Sequence, residues 1–400
     1  MTMTQAARPR VLLAWEAGAG RGHVVTLKTV AQALGPRCVF DAALCNMNHA
    51  SELEGLCERV FQGAMLYFDR ETRHAQGAPR TATWGEFLGD TGFRDGAFIA
   101  RQVKWWQDVL DARCTDLLIA DYAPCALLAA QSMGIPAVVI GTGYGIPPEG
   151  LPEFPVFLPE YSERLFSEAA MVDTINAATA QLGVPKLNYL SDIYRRSQDL
   201  VRTLDVLDPY AGQRDQPLLP PVADFSAAAD GSGDEVFIYF STSELADPQV
   251  VEAISTLNLP TRAFCPAIDP DVAARLQQAG VILETSPVPV ELIASRSRMM
   301  LHSGQHGILS LSLGAGLPQV AIPQHLEQLY HARRCEHLGV GSTVTLEQRT
   351  TDRLREMIRS SYYDAAMQRT ARDLSGQLAS QFRVDSAQVM RERLYPLLDD

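Results

Sequence analysis

The sequence predicts an α/β protein built from two doubly wound, Rossmann-like domains facing across a cleft. Two observations carry that prediction. Short apolar runs alternate with segments of helical periodicity in both halves of the chain, which argues for parallel sheets covered by helices. A stretch rich in Pro, Gly, Ser and Asp (208–234) interrupts the alternation, which then restarts. At 400 residues the chain has room for two domains of about 150–200 residues each.

The first half opens on VLLAW (11–15), a short apolar run ended by glycines, which reads as a buried strand. HVVTLKTVAQAL (23–34) has helical spacing and stops at Gly35-Pro36. CVFDAAL (38–44) and TDLLIAD (115–121) read as strands. APCALLAAQSM (123–133) reads as a helix ended by Gly134, and PAVVI (136–140) as another strand. The proline- and aromatic-rich stretch 144–160 reads as a long loop near a sheet edge. The second half repeats the pattern from VFIYFS (236–241) through RMMLHSG, a helix to Gly316, PQVAI, and a helix from about Gln324 to Leu338. The predicted limits are a first domain at 1–212, a linker at 213–234 and a second domain at 235–382. A C-terminal helix at 383–400 is expected to pack back on the first domain.

Composition narrows the function. The net charge of −13, with no basic stripe, argues against nucleic acid as a partner. The seven cysteines are odd in number and form no C-x-x-C pair, so they read as buried reduced thiols. The short run after MTMTQAARPR is not a secretory signal, and no stretch approaches the ~20 apolar residues of a membrane span. A cytoplasmic location without integral membrane association is expected.

The loop GAGRGH follows the first strand. Gly18 and Gly20 fit the first two positions of a dinucleotide fingerprint, and Asp41 fits its ribose-binding acid. His23 stands where the third glycine belongs, and an imidazole there would crowd helix against strand. A better reading makes His23 the working residue, at the first turn of a helix. The glycines then keep the loop low beside the ring. A helix N-terminus disfavours imidazolium, and a neutral ring can act as a general base. Asp121 ends a core strand on the same sheet edge, where it can orient that base. Glu16 and Arg21 flank the site, either as acceptor contacts or as surface pairs.

The second loop, HSGQHG (302–307), lies between a strand and a helix. Ser303, Gly304, Gln305, His306 and Gly307 can present backbone N–H groups and a helix N-terminus to a diphosphate, and His302 or His306 can add a donor. Ser241, Thr242 and Ser243 follow the first strand of this half and offer hydroxyls. Glu327 and Gln328 open a later helix, where they can hydrogen-bond sugar hydroxyls.

Taken together, these stretches resemble the GT-B nucleotide-sugar-dependent glycosyltransferases, of the bacterial UDP-glycosyltransferase and macrolide-glycosyltransferase group. The loop at 302–307, LGAGLPQVAIPQHLEQ and HARRCEHLGVG carry most of the likeness. GAGRGHV, TDLLIADYAPCALLAAQSMGIPAVVIG and DLVRTLDVLDP add to it. The resemblance implies an inverting, metal-independent transfer of a sugar from a UDP- or dTDP-sugar to an acceptor hydroxyl, with no cofactor beyond the donor substrate. It implies His23 as base and Asp121 as its partner. Ser241 to Ser243 fall at the phosphate loop, Val288 at the nucleobase, and Glu327 and Gln328 at the donor sugar. Gly22, Arg21 and Tyr144 fall on the acceptor side. The loop departs from the family pattern. Matching forward from His302 makes it the phosphate ligand, with His306 as substitute, whereas matching backward from Pro318 puts Ser303 there. No Glu lies in ILSLSLGAG, only Ser310 and Ser312, so ribose recognition must differ. The alternatives are a nucleotide-sugar-binding protein without catalysis, or a sugar-nucleotide epimerase of the same fold.

Overall fold

The computed structural model describes residues 8–399 apart from 19, 69–80, 82, 222–227 and 242. The chain falls into two compact units. One comprises Met1–Thr203, Asp208–Leu219 and Asp385–Asp400, and the other Leu204–Leu207 and Pro220–Val384.

The first unit is a six-stranded sheet of β1 (Arg10–Trp15), β2 (Val39–Leu44), β3 (Cys57–Gln62), β4 (Leu117–Asp121), β5 (Ala137–Gly141) and β6 (Ser197–Val201). Its order is β3-β2-β1-β4-β5-β6, and every pair is parallel. Parallel strands covered on both faces read as unbroken apolar runs, which is why β1, β2, β4 and β5 were legible. The edge strands β3 (CERVFQ) and β6 (SQDLV) carry polar residues, so the sequence reading passes over them. It also passes over the helices α2 (Gly96–Ala112) and α4 (Glu168–Thr179), which lie among α1 (Arg21–Leu34) and α3 (Pro124–Met133). Helix α1 buries Val24, Leu27, Val30, Ala31 and Leu34 along one face, and Gly35 ends it with φ of 60°.

The second unit holds β7 (Glu235–Tyr239), β8 (Thr261–Phe264), β9 (Ile282–Glu284), β10 (Ser297–His302), β11 (Gln319–Ala321) and β12 (Gly341–Thr343). Its helices are α5 (Pro248–Ser255), α6 (Pro270–Gln278), α7 (Val290–Arg296), α8 (His306–Ala315), α9 (Leu326–His337), α10 (Thr351–Tyr363) and α11 (Ala365–Phe382). The order β12-β11-β10-β7-β8-β9 is that of the first sheet, counted from its own first strand. Each winding reverses beside the first strand, between β1 and β4 in one unit and between β7 and β10 in the other. Open α/β sheets bind their ligands at such points, beyond the C-terminal strand ends.

The boundary between units is less simple than a first domain running unbroken to 212. Leu204 and Leu207 are fully buried with Leu309, Leu313, Leu374 and Leu378, so Leu204–Leu207 belongs to the second unit. Part of the predicted linker belongs to the first unit: Leu219 N–H donates to Val201 O at 2.8 Å, beside β6. Residues 222–227 of that linker lie outside the described residues. The helix α12 (Ser386–Leu394) lies in the first unit, where Met390 and Leu394 share a core with Leu27 and Leu34. Among the described residues no helix is long and apolar enough to cross a membrane.

Candidate active site

In the first unit the switch point brings three segments together. Trp15 and Asp121, the last residues of β1 and β4, are register partners. His23 sits in the first turn of α1, its Nδ1 lying 3.1 Å from Asp121 Oδ2. Asp121 is buried, while the His23 side chain is one-fifth exposed. An ionised carboxylate only accepts, so Nδ1–H donates to Asp121, the tautomer that puts the ring's lone pair on Nε2. The indole of Trp15 stacks on the imidazole at 4.9 Å, with 23° between the planes. Gly18 has φ of +97°, and a Cβ there would stand 2.4 Å from His23 Nε2. Only a glycine can lie this close to the Nε2 edge of the ring without displacing it.

One residue here escapes the sequence reading, and another takes a different role from the one expected. Tyr122 follows Asp121 with φ of 46°, a conformation costly for a side chain of this size. Its ring lies 5.0 Å from His23, and Trp84 lies 4.9 Å beyond it and stacks on Phe87. The only signal in the sequence was a bulky residue in the short turn between strand and helix. Glu16 was seen but misread. It is neither an acceptor contact nor a surface pair, being fully buried. Its Oε2 accepts from Cys125 N–H at 2.8 Å, at the start of α3, and its Oε1 accepts from Trp106 Nε1–H. Burial pushes its pKa up to about 8. Among the acceptor-side residues, Arg21 is mostly exposed and pairs with Glu52 at 2.6 Å. Gly22 is exposed, with open space at its Cβ position. Tyr144 is buried, its ring 6.4 Å from Trp84 and 5.1 Å from Phe157.

In the second unit the corresponding point lies between the ends of β7 and β10. The structure does not present His302, the phosphate ligand of the forward match, to a ligand. The residue is fully buried, its Nδ1 accepts from Gly304 N–H at 2.9 Å, and its Nε2–H donates to Gln319 Oε1 at 2.9 Å. Burial lowers its pKa to about 4, so the ring is neutral. Both nitrogens face inward and brace the turn. Ser303, the other match, is also buried, and its Oγ–H donates to the carboxylate of Glu244. Gly304 has φ of +87°, and a Cβ there would meet Gln328 O at 2.8 Å. The amide of Gln305 donates to Ser241 Oγ and to Glu244 Oε1, each at 3.2 Å.

His306 opens α8, and its ring lies 5.0 Å from that of the buried His331. Gly307 is exposed. Gln328 is buried and its Oε1 accepts from Gln324 N–H at 2.8 Å, so it shapes its own loop, while Glu327 beside it is half-buried. Val288 is half-buried against the cluster of Phe237, Ile293 and Met300. Ser243 is exposed, and Thr242 lies outside the described residues. Ser310 and Ser312 are fully buried in α8 and face no surface. Glu244, which ties Ser303 to Gln305, was missed because it lies in the short turn after β7 with no periodic signal. Among the described residues no group of three or more His, Cys, Asp or Glu is placed to hold a metal ion.

No protein-family model matches the chain. Among solved structures, the glycosyltransferase of kitacinnamycin superposes with a TM-score of 0.68, at 16% identity, covering 98% of this chain and 100% of that one. The chain has the GT-B fold. The spinosyn rhamnosyltransferase SpnG, solved with thymidine diphosphate, shares this GT-B architecture at a TM-score of 0.62 and 16% identity, covering 96% and 99% of the two chains. In sequence, the GT-B chain is 23% identical over 309 residues to UDP-glucuronosyltransferase 1A6 of Oryctolagus cuniculus. That match takes in 67% of this chain and spans 58% of the relative.

Proposed function

We propose that this protein is an inverting glycosyltransferase that moves a sugar from a UDP- or dTDP-sugar to an acceptor hydroxyl. The observation that carries the reading is the His23–Asp121 pair at the first switch point, with Gly18 packed beside Nε2. The GT-B relatives, one of them bound to thymidine diphosphate, support the donor class.

In this reading the acceptor oxygen attacks the anomeric carbon while His23 Nε2 takes its proton, an effect worth about 10²–10⁴-fold. Asp121 stabilises the imidazolium that forms. The bond from the anomeric carbon to the diphosphate breaks, and its electron pair leaves on the phosphate oxygen. The N-terminus of α8, with the backbone of Gly304 to Gly307 and the ring of His306, receives that charge without a metal. Ser241, Thr242 and Ser243 add hydroxyls, Val288 meets the base, and Glu327 meets the sugar, with Gln328 shaping the loop beside it. Arg21, Gly22 and Tyr144 fall on the acceptor side, Tyr144 through a ring buried beside Trp84.

The test uses the whole chain and a panel of UDP- and dTDP-sugars. Thermal shift detects the donor, since a ligand at ~100 times its Kd stabilises by about 2.7 kcal/mol. Nucleoside-diphosphate release with and without added acceptors then measures turnover. His23→Ala should abolish turnover and leave nucleotide binding intact. Binding without turnover in the natural chain would favour a non-catalytic nucleotide-sugar-binding protein, and no binding would overturn the donor reading.

A further inference from the structure

Glu244 is a fully buried acid in the turn after β7, among residues the donor reading assigns to diphosphate binding. A buried carboxylate is costly unless donors satisfy it, and an apolar side chain would fill the same space at lower cost. Here the donors come from the loop on the far side of the switch point: Ser303 Oγ–H and the amide of Gln305. The same amide reaches Ser241, so one acid and one amide join the turn after β7 to the loop after β10.

Two consequences follow. The Ser303 hydroxyl hydrogen is directed to Glu244, so it is not offered to a phosphate. Gln305 is the N-cap residue of α8, yet its side chain makes no capping hydrogen bond and turns to Glu244 and Ser241 instead. Gln305 thus does not cover the N-terminus of α8 with its own side chain, which favours an incoming anion there.

We propose that Glu244 is a positioning residue that holds the 303–307 loop in its anion-receiving form. This rests on the donor reading above. Glu244 acts through Ser303 and Gln305, and its contribution is confined to the part of the ligand that carries phosphate.

The test compares UDP with uridine by calorimetry on the full chain. Glu244→Ala should weaken UDP at least tenfold and leave uridine within about twofold. Glu244→Gln keeps one acceptor oxygen, so it should recover part of the UDP affinity. Ser303→Ala should weaken UDP, and the Glu244→Ala/Ser303→Ala double variant should be no weaker than Glu244→Ala alone. Should Glu244→Ala fail to fold, Gln305→Met removes only the amide bridge and should show the same selective loss. Unchanged UDP affinity, or equal loss of UDP and uridine, would overturn the proposal. If the natural chain binds neither UDP nor dTDP, the donor reading itself fails.

Discussion

Gly18 lies against the Nε2 edge of His23, so closely that a Cβ would approach to 2.4 Å. The residue that looked like part of a phosphate cradle keeps room for a base. Gly18→Ala must push the imidazole aside and also place alanine at φ of +97°. The variant should lose about 1–3 kcal/mol of stability. It should lose about 10²-fold in kcat as the ring leaves its position. Steady-state kinetics and urea unfolding on one preparation check both, and full activity would refute this role for Gly18.

Asp121 fixes which imidazole nitrogen carries the proton. An asparagine can turn its NH2 toward Nδ1, which moves the ring hydrogen to Nε2 and removes the base. Asp121→Asn should lower kcat by about 10²–10⁴-fold. UDP affinity should stay unchanged, because no donor contact is assigned to this residue. Loss of UDP binding in step with kcat would argue that Asp121 acts through the fold.

Two buried groups give pH dependences of opposite sign. Glu16 ionises near 4.5 in the unfolded chain and near 8 in the fold. Its contribution to stability is complete below pH 4.5, falls between 4.5 and 8, and is level above. His302 goes the other way, from 6.5 unfolded to about 4 folded, so its contribution is complete above 6.5 and falls as pH drops toward 4. Glu16→Gln loses an acceptor, at a cost of about 1–3 kcal/mol near pH 6. The gap to the natural protein should narrow as pH rises to ~9. Urea midpoints taken across that range decide the matter, and a constant gap would refute it.

How much of this was legible in the sequence depends on burial. Central strands such as LLIAD are apolar up to their last residue and so stand out in the sequence. Asp121 was found because a carboxylate ending such a run is conspicuous, and His23 because it breaks a glycine pattern. The edge strand CERVFQ has no such run. The inward turn of His302 was not legible, because a histidine at a strand end reads alike whether it faces a ligand or Gln319. Glu16 and Glu244 were illegible as buried acids, since their donors are distant in sequence: Trp106 and Cys125 for one, Ser303 and Gln305 for the other.

Leu394 is fully buried in the first unit's core, far along the chain from helix α1, which its own helix packs against. Leu394→Ala should cost about 2–5 kcal/mol. All four tryptophans (Trp15, Trp84, Trp105, Trp106) lie in the first unit, so indole fluorescence reads its unfolding alone. A shift of that transition under about 1 kcal/mol would refute the role of α12 as part of this core.

The path of α12 also bears on synthesis. The first unit is interrupted by the whole of Pro220–Val384 and completed only by Asp385–Asp400. A nascent chain therefore carries the apolar flank of α1 uncovered while the second unit is translated. The later unit in sequence has all but Leu204–Leu207 in one continuous span, so it can complete its fold first. Order of emergence from the ribosome and order of completion are thus reversed.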